Sequence, residues 1–135
     1  MKTLYKDRLT KLGDFLAYHV PDERFDLSGW RNNGQEGMDS DGYIDDETLR
    51  TGCGTTACAI GWACTISEFK AAGLSYTGFT VSYDDLVSWG AVEEFFGLSF
   101  MEAMYLFSDS SYKANASPYD VAARLYFAAD SQEGA

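Results

Sequence analysis

Proline is scarce in this chain, two among 135 residues, and no apolar stretch approaches the roughly 20 residues that a membrane-crossing helix needs. The first turns interleave Lys2, Lys6, Arg8 and Lys11 with apolar residues, so no continuous hydrophobic segment of a secretory leader is present. A cytoplasmic protein without a membrane partner is expected. Histidine occurs once, at His19, and no serine or cysteine motif sets a nucleophile beside it. The adjacent carboxylates Glu93 and Glu94 diverge on a helix rather than converge on a reacting bond. The chain is accordingly not expected to be an enzyme, nor to need a cofactor.

Cysteine is also sparse: Cys53, Cys58 and Cys64 are an odd number in a short window, which excludes a paired secreted framework. Their spacing lacks the close Cys-x-x-Cys pair of most zinc sites, and buried thiols are ordinarily small hydrophobes. An alternative keeps them as a metal- or redox-responsive module with His19 as a fourth ligand. Cys53, among glycines just before a helix start, is the thiol whose pKa could fall, and the backbone N–H groups there could cradle an anion. The surrounding negative charge opposes both effects.

Positive charge is the most telling shortage. Lys and Arg number 10 against 21 Asp and Glu, a formal net charge of −11. Glu36, Asp39, Asp41, Asp45, Asp46 and Glu47 form one run with no base among them. No Lys or Arg falls between Lys70 and Lys113, while Asp84, Asp85, Glu93, Glu94, Glu102 and Asp109 do. Such a field repels phosphate backbones and anionic membranes and steers the molecule toward basic protein surfaces. Direct nucleic-acid binding is therefore not expected. The same charge also serves solubility.

What the chain does have is hydrophobic payload. Apolar residues make up 46% and aromatics 16%, enough for one packed domain without staples. Tyr5, Leu9, Leu12, Leu16 and His19 or Val20 recur at helical steps and predict a first helix ended at Val20-Pro21. The Gly-, Asn- and Asp-rich segment 21–50 is expected to wrap the surface, anchored by Phe25, Leu27 and Trp30. Thr55 or Thr56 is expected to cap a central helix through Trp62 and Phe69 to Ala72, stopped at Gly73. Along it, Ala57, Ala59, Gly61 and Ala63 leave so little side chain that a neighbour can approach closely.

Leu74 and Tyr76, then Thr77-Gly78, then Phe79, Val81 and Tyr83 alternate as a β-hairpin. Asp84 or Asp85 is expected to cap a helix to Phe96, ended by Gly97. Ser99-Phe-Met-Glu102 is a capping box for a helix to Phe107, and Ser117-Pro118-Tyr-Asp120 starts a last helix to about residue 130. The fold class is thus mainly α (α+β): a single-domain bundle of about five helices with one short hairpin over residues 1–130. It includes an acidic loop at 31–50, and a frayed tail follows at 131–135. Leu12, Leu16, Ile60, Trp62, Phe95, Leu106 and Leu125 are the expected core.

Two motifs invite sharper readings. Asp39-Ser-Asp41-Gly42-Tyr-Ile44-Asp45-Asp46-Glu47 resembles the middle of an EF-hand loop, but that register places Gly37 and Thr48 where an acid and a bidentate Glu are required. Asp39, Asp41, Asp45 and Cys53 stay as weak metal candidates beside a solvated acidic turn. Residues 91–107 have the rhythm of a helix-turn-helix, yet the second helix offers no Arg, Lys, Asn or Gln to read DNA. That stretch is expected to be a core-packing corner or a protein-contacting surface.

Phe25-Asp26-Leu-Ser-Gly-Trp30, Cys53-Gly-Thr-Thr-Ala-Cys58-Ala-Ile-Gly61-Trp62-Ala63, Gly97-Leu-Ser99-Phe-Met-Glu102-Ala103 and Val121-Ala-Ala-Arg124 together resemble a group of small bacterial and bacteriophage proteins with no assigned activity. The resemblance runs from about Leu12 to Arg124 and supplies no catalytic residue. It implies a phage or mobile-element setting, in which small acidic proteins act on host machinery. The expected function is inhibition of a host or defence nucleic-acid-binding protein, in the host cytoplasm, by covering its basic surface. Glu36, Asp39, Asp41, Asp45, Asp46, Glu47, Asp84, Asp85, Glu93, Glu94 and Glu102 are the expected contacts. The alternatives are a metal- or redox-responsive module built on Cys53, Cys58, Cys64 and His19 or on the Asp39–Glu47 loop, and a structural accessory protein without a ligand.

Overall fold

The computed structural model describes residues 2–32, 44–51, 55–77, 80–113 and 115–131. Helix α1 (Thr3–His19) turns Leu9, Leu12, Gly13 and Leu16 inward. It ends where Val20 becomes extended ahead of Pro21, since a residue before proline is pushed out of helical backbone. A short 3-10 turn (Asp22–Arg24) follows, and the chain then runs to strand β1 (Arg31–Asn32). Helix α2 (Asp46–Thr51) buries Leu49. Strand β2 (Thr56–Ala57) pairs antiparallel with β1, Arg31 opposite Ala57, while Phe25 bridges Ala57 in parallel fashion. The wrapping segment is thereby tied to the centre by backbone hydrogen bonds as well as by its anchors Phe25, Leu27 and Trp30, which reach the core.

The single central helix expected over 55–72 is instead three elements. Thr56 and Ala57 belong to β2, so Cys58 rather than a threonine caps α3 (Ala59–Ala63), its sulfur accepting from the Gly61 N–H at 3.5 Å. Helix α3 breaks at Thr65, whose amide and hydroxyl both turn back to the Trp62 carbonyl, at 2.9 and 2.7 Å. A threonine that captures a nearby carbonyl competes with helix continuation. Helix α4 (Ser67–Ala71) then restarts, and the chain reverses through Gly73 at φ +108°.

Strands β3 (Ser75–Thr77), β4 (Thr80–Tyr83) and β5 (Leu86–Val87) form an antiparallel sheet in that order. The hairpin pairing is as expected, with Tyr76 opposite Val81, while its turn residues Gly78 and Phe79 lie outside the described residues. Strand β5 was not anticipated. Asp84 and Asp85 form a two-residue turn between β4 and β5, with Asp84 at φ +54°, a conformation that aspartate tolerates. They therefore cap no helix; α5 (Ser88–Phe96) begins beyond β5, with Val87 as its uncapped N-terminal neighbour.

Gly97, at φ +67°, closes α5 in left-handed backbone, and the Ser99–Glu102 capping box opens α6 (Phe100–Phe107). After a 3-10 turn at Asp109–Ser111, α7 (Pro118–Ser131) starts with the reciprocal hydrogen bonds between Ser117 and Asp120. Helices α1 and α7 pack so closely that the Tyr126 ring lies against Gly13, its hydroxyl donating to Asp14 at 2.6 Å.

Among the described residues the architecture is a mixed α+β fold with seven helices and two small antiparallel sheets. Helix dominates as expected, and the finer pattern of about five helices and one hairpin agrees only roughly, because α2, the α3–α4 break, the β1–β2 pair and β5 were missed. Leu12, Leu16, Ile60, Trp62, Phe95, Leu106 and Leu125 are all buried, in one cluster running from Leu9 to Ala129. Its aromatic centre is edge-to-face: Phe95 meets Phe96 at 5.0 Å and Tyr83 and Phe69 at 5.1 Å, contacts worth about 0.5–1.5 kcal/mol each beyond their buried area.

The close approach expected at the small residues is made at Gly61. A Cβ there would overlap the Trp30 carbonyl oxygen and come within 2.8 Å of Ala57 Cβ. Gly61→Ala is expected to cost about 3 kcal/mol or more in urea unfolding, whereas Gly29→Ala, which meets nothing within 4 Å, should stay within about 0.5 kcal/mol of wild type.

Candidate interaction site

Of the acidic run, Glu36, Asp39 and Asp41 lie outside the described residues, as do Gly37, Gly42 and Cys53. Asp45 and Asp46 are described and serve the fold. Asp45 Oδ1 accepts from the Thr48 N–H at 2.8 Å and so caps α2; that hydrogen bond lowers its pKa. Asp46 accepts from Arg31 Nη2 at 2.9 Å and is also paired with Lys70. Burial raises the Asp46 pKa, but hydrogen bonds from Lys70 and Arg31 and their charges outweigh it, leaving the carboxyl below its ordinary 3.8. Glu47 remains exposed, with Arg50 4.0 Å away.

The Arg31 side chain is fully buried. Its Nε and Nη2 donate to the Gly61 carbonyl at 3.1 and 2.9 Å, its Nη1 to the Ile44 carbonyl at 2.7 Å, and its guanidinium stacks 4.4 Å over Tyr76. Asp45, Asp46 and Glu47 consequently rim an open cleft of about 560 Å³ with Ser75 and Tyr76 of β3. The C-terminal half of the EF-hand-like stretch is thus occupied by other work: Ile44 is buried, Asp45 caps a helix and Asp46 holds two cations.

Cys58 and Cys64 are buried free thiols at the two ends of α3, and burial pushes them up to about 11 and about 12. His19 is on the surface at the end of α1, 5.5 Å from the Phe15 ring, in a cleft with Arg24, Arg50 and Trp62 that contains neither cysteine. Among the described residues no group of three or more His, Cys, Asp or Glu is placed to hold a metal ion.

The cation-free span folds into one continuous region: β3, β4, β5, α5 and α6 all lie within it. Asp84 and Asp85 stand at the β4–β5 turn, exposed; Glu93 is half-buried and Glu94 exposed on α5. None of these four is in an ion pair among the described residues. Two arginines reach the region from other helices, and both are spent internally. Arg8 donates to the Phe95 carbonyl and lies 3.9 Å over its ring. Arg124 donates to the Tyr105 carbonyl and to Ser111, and sits between the Tyr105 and Tyr112 rings at 4.2 and 3.7 Å. Glu102 closes its capping box through the Ser99 N–H at 2.8 Å.

Sequence reasoning left a protein-contacting surface open for residues 91–107 but missed which α6 residues face outward and that α7 adds to them. Ala103, Leu106 and Phe107 face the core, yet Phe100, Met101 and Tyr105 are exposed, and so are Tyr119 and Phe127 on α7. The signal was present: only Glu102 is charged in the eight residues of α6, so no helical face of it is polar. The described residues contain no helix long and apolar enough to cross a membrane. Comparison with protein-family models, with curated proteins and with solved structures gives no match.

Two measurements check this chemistry. Because the folded pKa of Asp46 is lowered, its contribution to stability is complete above about 3.8 and is lost as pH falls through the depressed folded value. Asp46→Asn should therefore be less stable than wild type at neutral pH, and the gap should narrow below pH about 4 in acid-unfolding curves. Cys58 and Cys64 should resist iodoacetamide in the native protein and react on unfolding, as read by mass spectrometry of peptides.

Proposed function

We propose that this protein works by binding and not by catalysis: a small acidic protein of phage or mobile-element type that covers the basic, nucleic-acid-holding surface of a host or defence protein in the host cytoplasm. The observation that carries this reading is the set of carboxylates Asp84, Asp85, Glu93 and Glu94, in no ion pair among the described residues, in a region whose neighbouring arginines Arg8, Arg31 and Arg124 are committed to internal contacts. Carboxylates in no ion pair among the described residues present their negative charge to solvent. With a net charge of −11, that field accelerates encounter with a basic partner and repels nucleic acid itself. Inhibition would then be competition, the carboxylates taking the places of phosphates. Asp45 and Glu47, and in the sequence Glu36, Asp39 and Asp41, add to the net negative charge, whereas Asp46 is reserved for Arg31 and Lys70. Glu102 adds charge beside the α6 aromatics.

Affinity capture from host lysate at low salt and at about 0.5 M salt, where exposed charges are largely screened, tests this. The bait is wild type against a variant with Asp84→Asn, Asp85→Asn, Glu93→Gln and Glu94→Gln. The expected result is a nucleic-acid-binding protein held by wild type at low salt only, lost from the variant, and displaced from wild type by added duplex DNA or RNA. Capture that ignores salt, the four neutralised carboxylates and nucleic-acid competition would sink the reading.

A further inference from the structure

We infer that the groove between α6 and α7 is the seat for a basic amphipathic helix of the partner, a step that rests on the binding function proposed above. The groove has Met101, Tyr105 and Phe127 as its walls over buried Leu98 and Leu106, and encloses about 300 Å³. That is at the lower limit of cavities that hold small molecules and suits a few anchor side chains. Met101 is 76% exposed and Phe127 74%, the largest exposures among the apolar residues near this groove. Apolar groups clustered in this way on two neighbouring helices mark a docking surface rather than scattered surface hydrophobes.

The walls are held in place before any partner arrives. Arg124 clamps the last turn of α6 through the Tyr105 carbonyl at 2.7 Å and stacks on the Tyr105 ring at 4.2 Å, so that side chain is ordered in the free protein. Arg124 in turn is held by Ser111 at 3.0 Å, so the one cation among the described residues lining the groove has its donors occupied by neutral acceptors. A preordered wall lowers the ordering cost of binding.

Charge selects the occupant. Glu102 lines the groove, Asp130 is one helical turn beyond Phe127, and Glu93 and Glu94 are on the helix leading into α6. A second copy of this chain would bring another −11 to a face already acidic. A helix with Leu, Met or Phe anchors about one turn apart and Lys or Arg on its flanks meets both the apolar walls and the acidic rim, the helix-in-groove mode of recognition. The acidic face then supplies encounter and the groove supplies the desolvated anchor that charge alone lacks.

The probe is a pair of synthetic helical peptides of about 18 residues, identical in Leu anchors, one with Lys flanks and one with Glu flanks. Binding is read by fluorescence anisotropy of the labelled peptide and by the ε-methyl resonance of Met101 in ¹³C-methyl-methionine protein. Wild type is compared with Met101→Ser/Phe127→Ser, both at exposed positions, with thermal unfolding as the check on folding. The Lys peptide should bind wild type, shift the Met101 methyl, and bind the double variant about tenfold or more weakly; the Glu peptide should bind wild type about tenfold or more weakly than the Lys peptide. An unmoved Met101 methyl, equal affinity for the double variant, or equal affinity for the two peptides overturns the assignment. So does a wild-type dimer in sedimentation that the double variant abolishes, which would make the groove a self-association face. Lys-peptide binding that persists in the double variant but is lost with the Asp84, Asp85, Glu93 and Glu94 neutralisations overturns the groove and leaves the charge-based function standing.

Discussion

A buried arginine side chain ties several short segments together at one point. Arg31 reaches the last turn of α3 through the Gly61 carbonyl, the entry to α2 through the Ile44 carbonyl and Asp46, and β3 through the Tyr76 ring. Each of those segments is too short to be stable alone: α2 has six residues and α3 five, well below the length at which isolated helices persist. A fully desolvated guanidinium is costly unless its donors are matched, and loss of one partner of a buried charged pair costs about 3–5 kcal/mol. The acidic run around Asp46 is therefore partly structural. One of its carboxylates compensates a buried cation, and Lys70 completes the pair from α4.

The glycine- and cysteine-rich stretch serves the same junction. Gly61 lets the Trp30 carbonyl and Ala57 lie where a side chain would stand, and its own carbonyl then faces Arg31. Cys58 caps α3 with its sulfur and Trp62 donates its indole N–H to the Arg24 carbonyl at 3.0 Å. Arg24 meanwhile holds the Leu49 carbonyl at 3.0 Å and Thr55 at 2.9 Å. A motif that resembles a metal or redox signature by composition thus acts, in its described part, as the clasp of the fold. Thiols pushed to about 11 and about 12 stay protonated at neutral pH, which suits packing and not nucleophilic chemistry.

With four arginines drawn inward, the outer surface divides its labour. Arg8, Arg24, Arg31 and Arg124 all make interior or semi-interior contacts through carbonyls and rings. Among the described residues, the carboxylates at the β4–β5 turn and on α5 are in no ion pair. Beside them α6 and α7 leave aromatics and a methionine in solvent. Long-range charge and short-range apolar contact act over different distances, the first through a Debye length near 8 Å at physiological salt, the second only on touching. Their adjacency is what a surface needs to attract a partner and then retain it.

Local chemistry determined a good deal by itself. The first helix and its end at Val20-Pro21, the stop at Gly97, the capping boxes at Ser99 and Ser117, the β3–β4 pairing and the apolar core were all legible, because each depends on residues within one or two turns of chain. The crowding at Gly61 was legible too, as an absence of side chain. Tertiary structure decided the rest. Thr55 and Thr56 look like helix caps until Arg31 and Phe25 claim Ala57 as a strand partner. Asp84 looks like a cap until β5 pairs with β4. Asp46 looks like one more surface acid until a guanidinium from 15 residues earlier closes on it, and the α6–α7 groove exists only when two helices with apolar outer faces lie side by side. Propensity and capping are read over a few residues, whereas strand partners, buried charge pairs and exposed faces depend on which distant segment the core brings alongside.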